Sequence, residues 1–596
     1  MAATDLTFNA IQVLRNRYLL KDRKGNIVET PEGLFRRVAK AVAKPDKKYK
    51  QDPKKSEKEF YEVMINKEFL PNSPTLMNAG TSLSQLSACF VLPIEDDLVS
   101  IMDSVKYMAI IHKSGGGTGF DFSKLRPAGD IIFSTKGIAS GPVSFMKIHD
   151  VSTEVVKQGG KRRGANMGVL ETTHPDILTF ISAKSKEGEL KNFNISVKIT
   201  NSFMNKVTKN QSYNLVNPRT RNVVGKLNAK NVFDSIVHNA WKTGDPGLVF
   251  IDEINRRNPT PALGKIESTN PCGEQPLYPY ESCNLGSINL AKFVKNKKVD
   301  WPRLKRTVSI AVHFLDNVID TNKYPLPKIE KTTKANRKIG LGIMGFAELL
   351  IQLNISYDSK QAVALAEKIM KFISNQAREA SMNLAKTRGS FPNFKKSIWA
   401  KKYKGMRNAT LTTIAPTGTI SIIAGCSSGI EPLFAVSYIR EVLDGTQLIE
   451  TNPYFEKIAK EHGIYSKEIM NQIAMTGSVK EIRKIPATLK GLFKTALEIK
   501  PEWHVKMQAA FQKYTDNAVS KTVNFPKTAK TSDVRKAFLL AWKLNCKGIT
   551  IYRYGSKPEQ VLYVGTTVKR RKGEQVKYLS AESDYAGGCP YPYCPH

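Results

Sequence analysis

Asn270-Pro-Cys272-Gly-Glu274-Gln-Pro-Leu277, followed closely by Glu281-Ser-Cys283-Asn284, is the most informative stretch of the 596-residue chain. An amide, a thiol and a carboxylate stand at alternate positions around Pro271 and Gly273. In an extended loop alternate side chains point the same way. Asn270, Cys272 and Glu274 are therefore expected to face one small molecule together. Zinc spacing is not met: ten residues separate Cys272 from Cys283, and no histidine lies nearby.

The flanks of this stretch suggest an α/β frame. Short apolar runs at 89–93, 168–171, 193–199, 248–251, 411–414 and 549–551 read as buried strands. Between them, 98–113, 142–156, 232–243, 301–321 and 360–387 carry apolar residues at helical spacing. Such alternation predicts strands inside and helices outside. Residues 11–20, 33–42 and 57–69 read as N-terminal helices, and the basic run 44–58 as a solvated loop or a helix start. After Tyr554 a basic run, Ala586-Gly-Gly588 and the ending Cys589-Pro-Tyr-Pro-Tyr-Cys594-Pro-His596 read as a mobile tail with a cysteine pair.

Two further turns attract attention. Gly115-Gly-Gly117-Thr-Gly119 fits neither a Walker loop nor a dinucleotide fingerprint, so a tight turn competes with a binding role. Pro416-Thr-Gly-Thr-Ile-Ser421 follows a β-branched run, and its hydroxyls and backbone N–H groups suit a phosphate.

Composition excludes disordered, collagen-like and disulfide-dense classes: 41% of residues are hydrophobic and 24% charged. The formal net charge of +38 leaves two readings, polyanionic partners or a lysine-rich, self-repelling surface. Nucleic-acid binding is not decided by it. The first ten residues lack a secretory pattern, and no apolar run is long enough to span a bilayer. The expected compartment is the cytoplasm, where seven cysteines point to catalysis, redox work or burial. Cys426 and Cys546, among apolar and small residues, read as structural.

Spaced motifs then bring a resemblance. They are Phe69-Leu-Pro-Asn-Ser73-Pro-Thr75, Ser87-Ala-Cys89-Phe90, Lys113-Ser-Gly-Gly-Gly117-Thr-Gly119, Leu125-Arg-Pro127, Ser140-Gly-Pro142, Gln158-Gly-Gly-Lys-Arg-Arg-Gly164 and Ser428-Gly-Ile-Glu-Pro432. With the Asn270–Asn284 stretch and in this order, the chain resembles the ribonucleotide reductases over nearly its whole length. The opening 10–20, Glu29-Thr-Pro31, Lys547-Gly-Ile-Thr-Ile-Tyr552-Arg-Tyr554-Gly-Ser556 and Gln560-Val-Leu562 are similar to the class II, adenosylcobalamin-dependent branch. Tyr554 departs from the more usual acidic or polar residue there.

The resemblance implies a ten-stranded α/β barrel of two five-stranded half-barrels with a central finger loop. It implies an N-terminal helical region at 1–70 without an ATP-cone, the barrel at 71–555 and a flexible tail at 556–596. Cys272 would become a thiyl radical that takes the 3′ hydrogen of a ribonucleotide. Glu274 would be the base on the 3′ hydroxyl, and Asn270 would hold the same region. Cys89 and Cys283 would be the reducing pair, re-reduced by Cys589 and Cys594. Substrate binding would fall to Ser73, Ala88, Cys89, Gly117, Asn270, Pro271, Cys272, Gly273, Glu274, Pro416, Thr417, Gly418, Thr419 and Ile420.

The resemblance carries further expectations. Asp96 and Lys113 would contact a deoxynucleoside triphosphate or ATP effector, with loops at 126–140 and 157–167, at a homodimer interface. The external reductant would be of thioredoxin or glutaredoxin type. No metal site is expected, the rival reading of the tail being a partial zinc site of Cys589, Cys594 and His596 with only three ligands. The rival within the family is a class I catalytic subunit that takes its radical from a partner protein.

Overall fold

The computed structural model describes residues 6–132, 136–158, 162–186, 188–441 and 447–556. Its first half is a run of parallel strands: β1 (Cys89–Val91), β2 (Gly117–Asp121), β3 (Asn166–Glu171), β4 (Phe193–Ile199) and β5 (Gly247–Phe250). Its second half holds β6 (Glu281–Asn289), β7 (Ile339–Met344), the segment 411–414, β8 (Thr522–Phe525) and β9 (Gly548–Arg553). β6 and β7 pair in parallel, as do β8 and β9. Parallel bridges Leu341–Thr412 and Ile414–Val519 place 411–414 between β7 and β8. Two antiparallel seams, β5 with β9 and β1 with β6, join the halves into a closed barrel. Closure leaves the barrel strands no free edge.

Parallel neighbours need crossover connections, which the helices supply. The N-terminal helices are α1 (Phe8–Val13), α2 (Pro31–Ala43) and α3 (Pro53–Ile65). α4 (Leu98–Lys113) and α5 (Pro142–Val155) cross between β1, β2 and β3, and α6 (Ala229–Thr243) precedes β5. α7 (Trp301–Thr321), α8 (Lys360–Arg388) and the short α9 (Gly418–Ala424) serve the second half. Local chemistry sets several starts: Asp97, Asp300 and Ser359 each accept an N–H of the first turn of α4, α7 and α8. α7 buries Leu304, Val308, Ala311, Leu315 and Val318, the stripe its helical spacing predicts.

Each half has its own core. α2 and α3 bury Phe35, Val38 and Phe60 in the core of the second half, with Ile288, Phe314 and Ile339. Phe120, Phe193, Phe233 and Val523 belong to the core built mainly around the first half. A buried ion cluster ties the N-terminal region to the barrel. Asp316 on α7 pairs with Arg337 at 2.8 Å, Arg388 at 3.1 Å and Arg407 at 3.2 Å. Burial pushes the Asp316 carboxyl up, but these guanidiniums outweigh it and hold the group well below the usual range. Arg388 also pairs with Asp46, which accepts from His313 at 3.0 Å and Asn317 at 2.8 Å. The lysines of 44–58 are exposed and α3 starts within the run, as read, but the run also carries the fully buried Asp46, which anchors the segment.

The strand reading at 193–199 matches β4 at both ends, and those at 89–93, 168–171, 248–251 and 549–551 match observed strands with shifted ends. Residues 411–414 contribute bridges rather than a full ladder. β2 and β7 were hidden by their glycines. The tail, with Cys589 and Cys594, lies outside the described residues.

Candidate active site

Between β5 and β6 the chain enters the barrel as a narrow hairpin, with Ser268–Thr269 paired antiparallel to Pro276–Leu277. Glycines in the walls make room for it. A Cβ on Gly119 of β2 would lie 1.7 Å from the Thr269 carbonyl oxygen. On the opposite half, a Cβ on Gly340 of β7 would lie 2.5 Å from Gln275 Nε2. At Gly119 wall and finger are thus in backbone contact, which only glycine permits, while at Gly340 the wall meets the finger's Gln275 side chain.

The tip is a turn rather than an extended run. Gly273 N donates to Asn270 O at 3.0 Å, and Gly273 has φ +77°. Asn270, Cys272 and Glu274 therefore converge because the chain reverses, not because alternate side chains share a face. The surroundings hold the turn firmly: Asn194 Nδ2 donates to Pro271 O at 2.9 Å, Gln275 Nε2 to Thr413 Oγ1 at 2.7 Å, and Ala518 N to Glu274 O at 2.9 Å.

The tip forms one wall of a half-open cleft. Its lining includes Ser73, Ala88, Cys89, Gly117, Asn270, Pro271, Cys272, Glu274 and Pro416 to Ile420. Asn270 Nδ2 donates to Cys89 Sγ at 3.2 Å, and the Cys89 thiol points to Glu274 Oε1 at 3.8 Å. Cys272 is partly exposed at the tip, whereas Cys89 is buried in the wall. Cys283 stands directly opposite Cys89 across the antiparallel seam. Directly opposed residues share a face and a separation that a disulfide can span.

Cys283 lies outside the cleft lining and is fully buried. Its thiol donates to Asn284 O at 3.3 Å and Lys338 O at 3.5 Å. Burial pushes that thiol up, Glu281 adds to the effect and Lys338 opposes it. The five described cysteines are all thiols. Cys426 and Cys546 are set apart from the cleft lining, and burial pushes Cys546 up to about 12.

The opposite wall presents hydroxyls and backbone N–H groups to the cleft. Thr417 has φ +61°, an uncommon conformation for a β-branched residue, and its Oγ1 accepts from Gly429 N at 2.7 Å. α9 follows at once, leaving the N–H groups of its first turn without intrahelical partners. Ser73 opens a short helix capped by Asn72, whose Oδ1 accepts from Thr75 N at 2.9 Å.

The cleft gathers every expected substrate residue except Gly273, which sits at the tip but not in the lining. Sequence reasoning missed Asn72, Leu285, Gly286, Ser287 and Ala415. Two of these were within reach, because Leu285 and Ser287 continue the period-two face that starts at Cys283. Asp96 and Lys113 are not brought together in one chain. Asp96 binds Arg126 Nε at 2.9 Å just before α4, and Lys113 is exposed at the far end of that helix. Helical rise puts roughly 24 Å between the ends of α4. The loops 126–140 and 157–167 fall only partly among the described residues.

Comparison with known proteins converges on one family. Residues 87–552 match the family model "Ribonucleotide reductase, barrel domain", and residues 4–84 match "Ribonucleotide reductase, all-alpha domain". The vitamin B12-dependent ribonucleoside-diphosphate reductase of Thermoplasma acidophilum is 50% identical, with 99% of this chain and 85% of the relative covered. The enzyme of the same description from Mycobacterium tuberculosis is 48% identical, with 99% and 84% covered. Among solved structures, the Actinobacillus ureae class Id ribonucleotide reductase alpha subunit superposes with a TM-score of 0.76 at 25% identity. That match covers 92% of this chain and 97% of the other. Barrel, finger and thiol-lined cleft agree with these matches, and the chain belongs to the ribonucleotide reductase family.

Proposed function

We propose that the cleft reduces a ribonucleoside diphosphate by radical chemistry at Cys272, with Cys89 and Cys283 supplying the reducing electrons. The enzyme is a vitamin B12-dependent ribonucleotide reductase, forming 2′-deoxyribonucleotides. The observation that carries the assignment of roles is the meeting of Cys272, Asn270, Glu274 and Cys89 in one cleft, with Cys283 directly opposite Cys89.

The finger tip fits adenosylcobalamin. Nothing lies within 4 Å of a Cβ built on Gly273, so the turn is open beside the partly exposed Cys272. Cys272 and Gly273 would face the cofactor there. When bound, adenosylcobalamin supplies the unpaired electron by homolysis of its carbon–cobalt bond. Cys272 Sγ, as the thiyl, takes the 3′ hydrogen, since an S–H bond is weak enough to exchange hydrogen with a sugar carbon. Glu274 accepts the 3′ hydroxyl proton, and Asn270 orients the same edge of the ribose. The Cys89 thiol, on the cleft wall, protonates the departing 2′ hydroxyl. Water leaves, Cys283 delivers the second thiol hydrogen to C2′, and Cys89 and Cys283 give up two electrons and join as a disulfide. Glu274 returns its proton to the 3′ oxygen, and Cys272 gives the hydrogen back to C3′, which restores the thiyl. The barrel encloses these steps and keeps bulk water from the radical. Ser73 and Thr417 to Ile420 hold the diphosphate.

The disulfide is reopened by dithiol exchange. We assign this to Cys589 and Cys594 of the tail, recharged by a thioredoxin- or glutaredoxin-type protein in the cytoplasm. We also keep the division into a helical region (1–70), barrel (71–555) and tail (556–596). Leu98, Val99 and Met102 on α4 and Val151 and Val155 on α5 are exposed apolar residues, which supports a homodimer through this face. Antiparallel pairing of α4 about a two-fold axis would set Asp96 of one subunit near Lys113 of the other. That arrangement suits a nucleoside triphosphate effector shared between subunits. No described helix is long and apolar enough to cross a membrane.

A single-turnover experiment tests the redox assignment. The Cys589→Ser, Cys594→Ser chain, loaded with adenosylcobalamin and CDP without external thiol, is expected to yield about one dCDP per active site. Peptide mass mapping is expected to find Cys89 cross-linked to Cys283. Product formed with both thiols still alkylatable would refute the assignment.

A further inference from the structure

Tyr18 belongs to the N-terminal helical region, 55 residues before Ser73, yet its hydroxyl lies 2.7 Å from Ser73 Oγ. The ring is 3% exposed. A buried tyrosine hydroxyl needs a polar partner, and this one meets a side chain that lines the cleft. The local backbone is unusual as well. Residues Leu14–Tyr18 form a π-helical turn, closed by Leu19 N donating to Leu14 O at 2.9 Å. Such wide turns are rare and recur at functional sites. This one ends on the residue that reaches the cleft. The preceding helix, α1, packs on α9, whose first turn forms the facing wall. The N-terminal segment thus braces both sides of the anion-binding wall.

The donor count fixes the direction of the contact. A phosphate oxygen only accepts, so Ser73 must spend its single hydroxyl hydrogen on the phosphate. Its oxygen can then accept from Tyr18, whose phenol is the more acidic of the two hydroxyls. A chain Tyr18 to Ser73 to phosphate satisfies every donor and polarises the serine hydroxyl toward the anion. Without Tyr18 the serine hydroxyl can turn to other acceptors, and its orientation must be fixed when substrate binds.

From this geometry we infer that Tyr18 is a positioning residue for the substrate's phosphates, acting through Ser73. The inference rests on the reading that Ser73 and Thr417 to Ile420 hold the diphosphate. Its consequence is that the N-terminal helical region is part of the substrate site rather than only a cap on the barrel.

A double-mutant cycle on the full chain with adenosylcobalamin tests it. Tyr18→Phe keeps the ring and removes the hydrogen bond to Ser73, so KM for CDP is expected to rise about 3- to 10-fold, with kcat within about twofold. Ser73→Ala is expected to raise KM at least as much. In the Ser73→Ala background, Tyr18→Phe is expected to have no further effect, because the group it acts through is gone. A Tyr18→Phe effect that persists undiminished there, or an unchanged KM in Tyr18→Phe alone, overturns the inference. An unchanged KM in Ser73→Ala overturns the phosphate reading itself and the inference with it.

Discussion

Cys272→Ala is expected to abolish deoxynucleotide formation, by at least about 10⁴-fold in kcat, while nucleotide still binds. The side chain is small and partly exposed, and the turn that carries it is held by backbone and neighbouring side chains. Gly273 N to Asn270 O, Asn194 to Pro271 O and Ala518 N to Glu274 O all survive the substitution. The finger should therefore keep its shape, and the loss should be chemical. Cys272→Ser sharpens the test. It restores a hydroxyl of similar size, but an O–H bond is too strong for a reversible hydrogen exchange with C3′, so it should be as inactive as alanine. Anaerobic product assays with equilibrium CDP binding separate the two effects. Lost turnover with lost binding would point to a displaced finger instead.

Glu274→Gln carries the next largest effect. The amide keeps an oxygen where the Cys89 thiol now points, 3.8 Å away, and keeps the volume of the cleft. What it loses is a proton acceptor. General acid–base help is typically worth ~10²–10⁴-fold, so kcat should fall by that amount with KM within about threefold. Steady-state kinetics of CDP reduction provide the check. A KM effect alone would make Glu274 a binding residue and leave the 3′ hydroxyl without its base.

The sequence was legible where local pattern and tertiary role agree. α4 and α7 were read with the observed ends, because a capping aspartate and an apolar stripe both mark them. β4 was read as a buried apolar run for the same reason. β2 and β7 were missed because glycine is a turn signal locally. Here Gly119 and Gly340 instead let two walls close on the finger. The substrate residues were named through family resemblance, and the cleft gathers all of them but Gly273. Their convergence was not legible, since the extended-loop argument gave the right partners through the wrong geometry. Asp46 shows the opposite limit: seven lysines between 44 and 58 read as solvent-facing, and no local pattern reveals a partner such as Arg388, far along the chain. Tyr18 belongs to the same class of long-range contact.

The central claim is that this barrel turns a cobalamin-derived radical at Cys272 into ribose reduction. The most direct measurement is anaerobic conversion of CDP, with dithiothreitol as reductant, with and without adenosylcobalamin. The account predicts dCDP only when the cofactor is present. No dCDP with adenosylcobalamin, together with dCDP formed when a metal-containing radical-donor protein replaces it, would contradict the account.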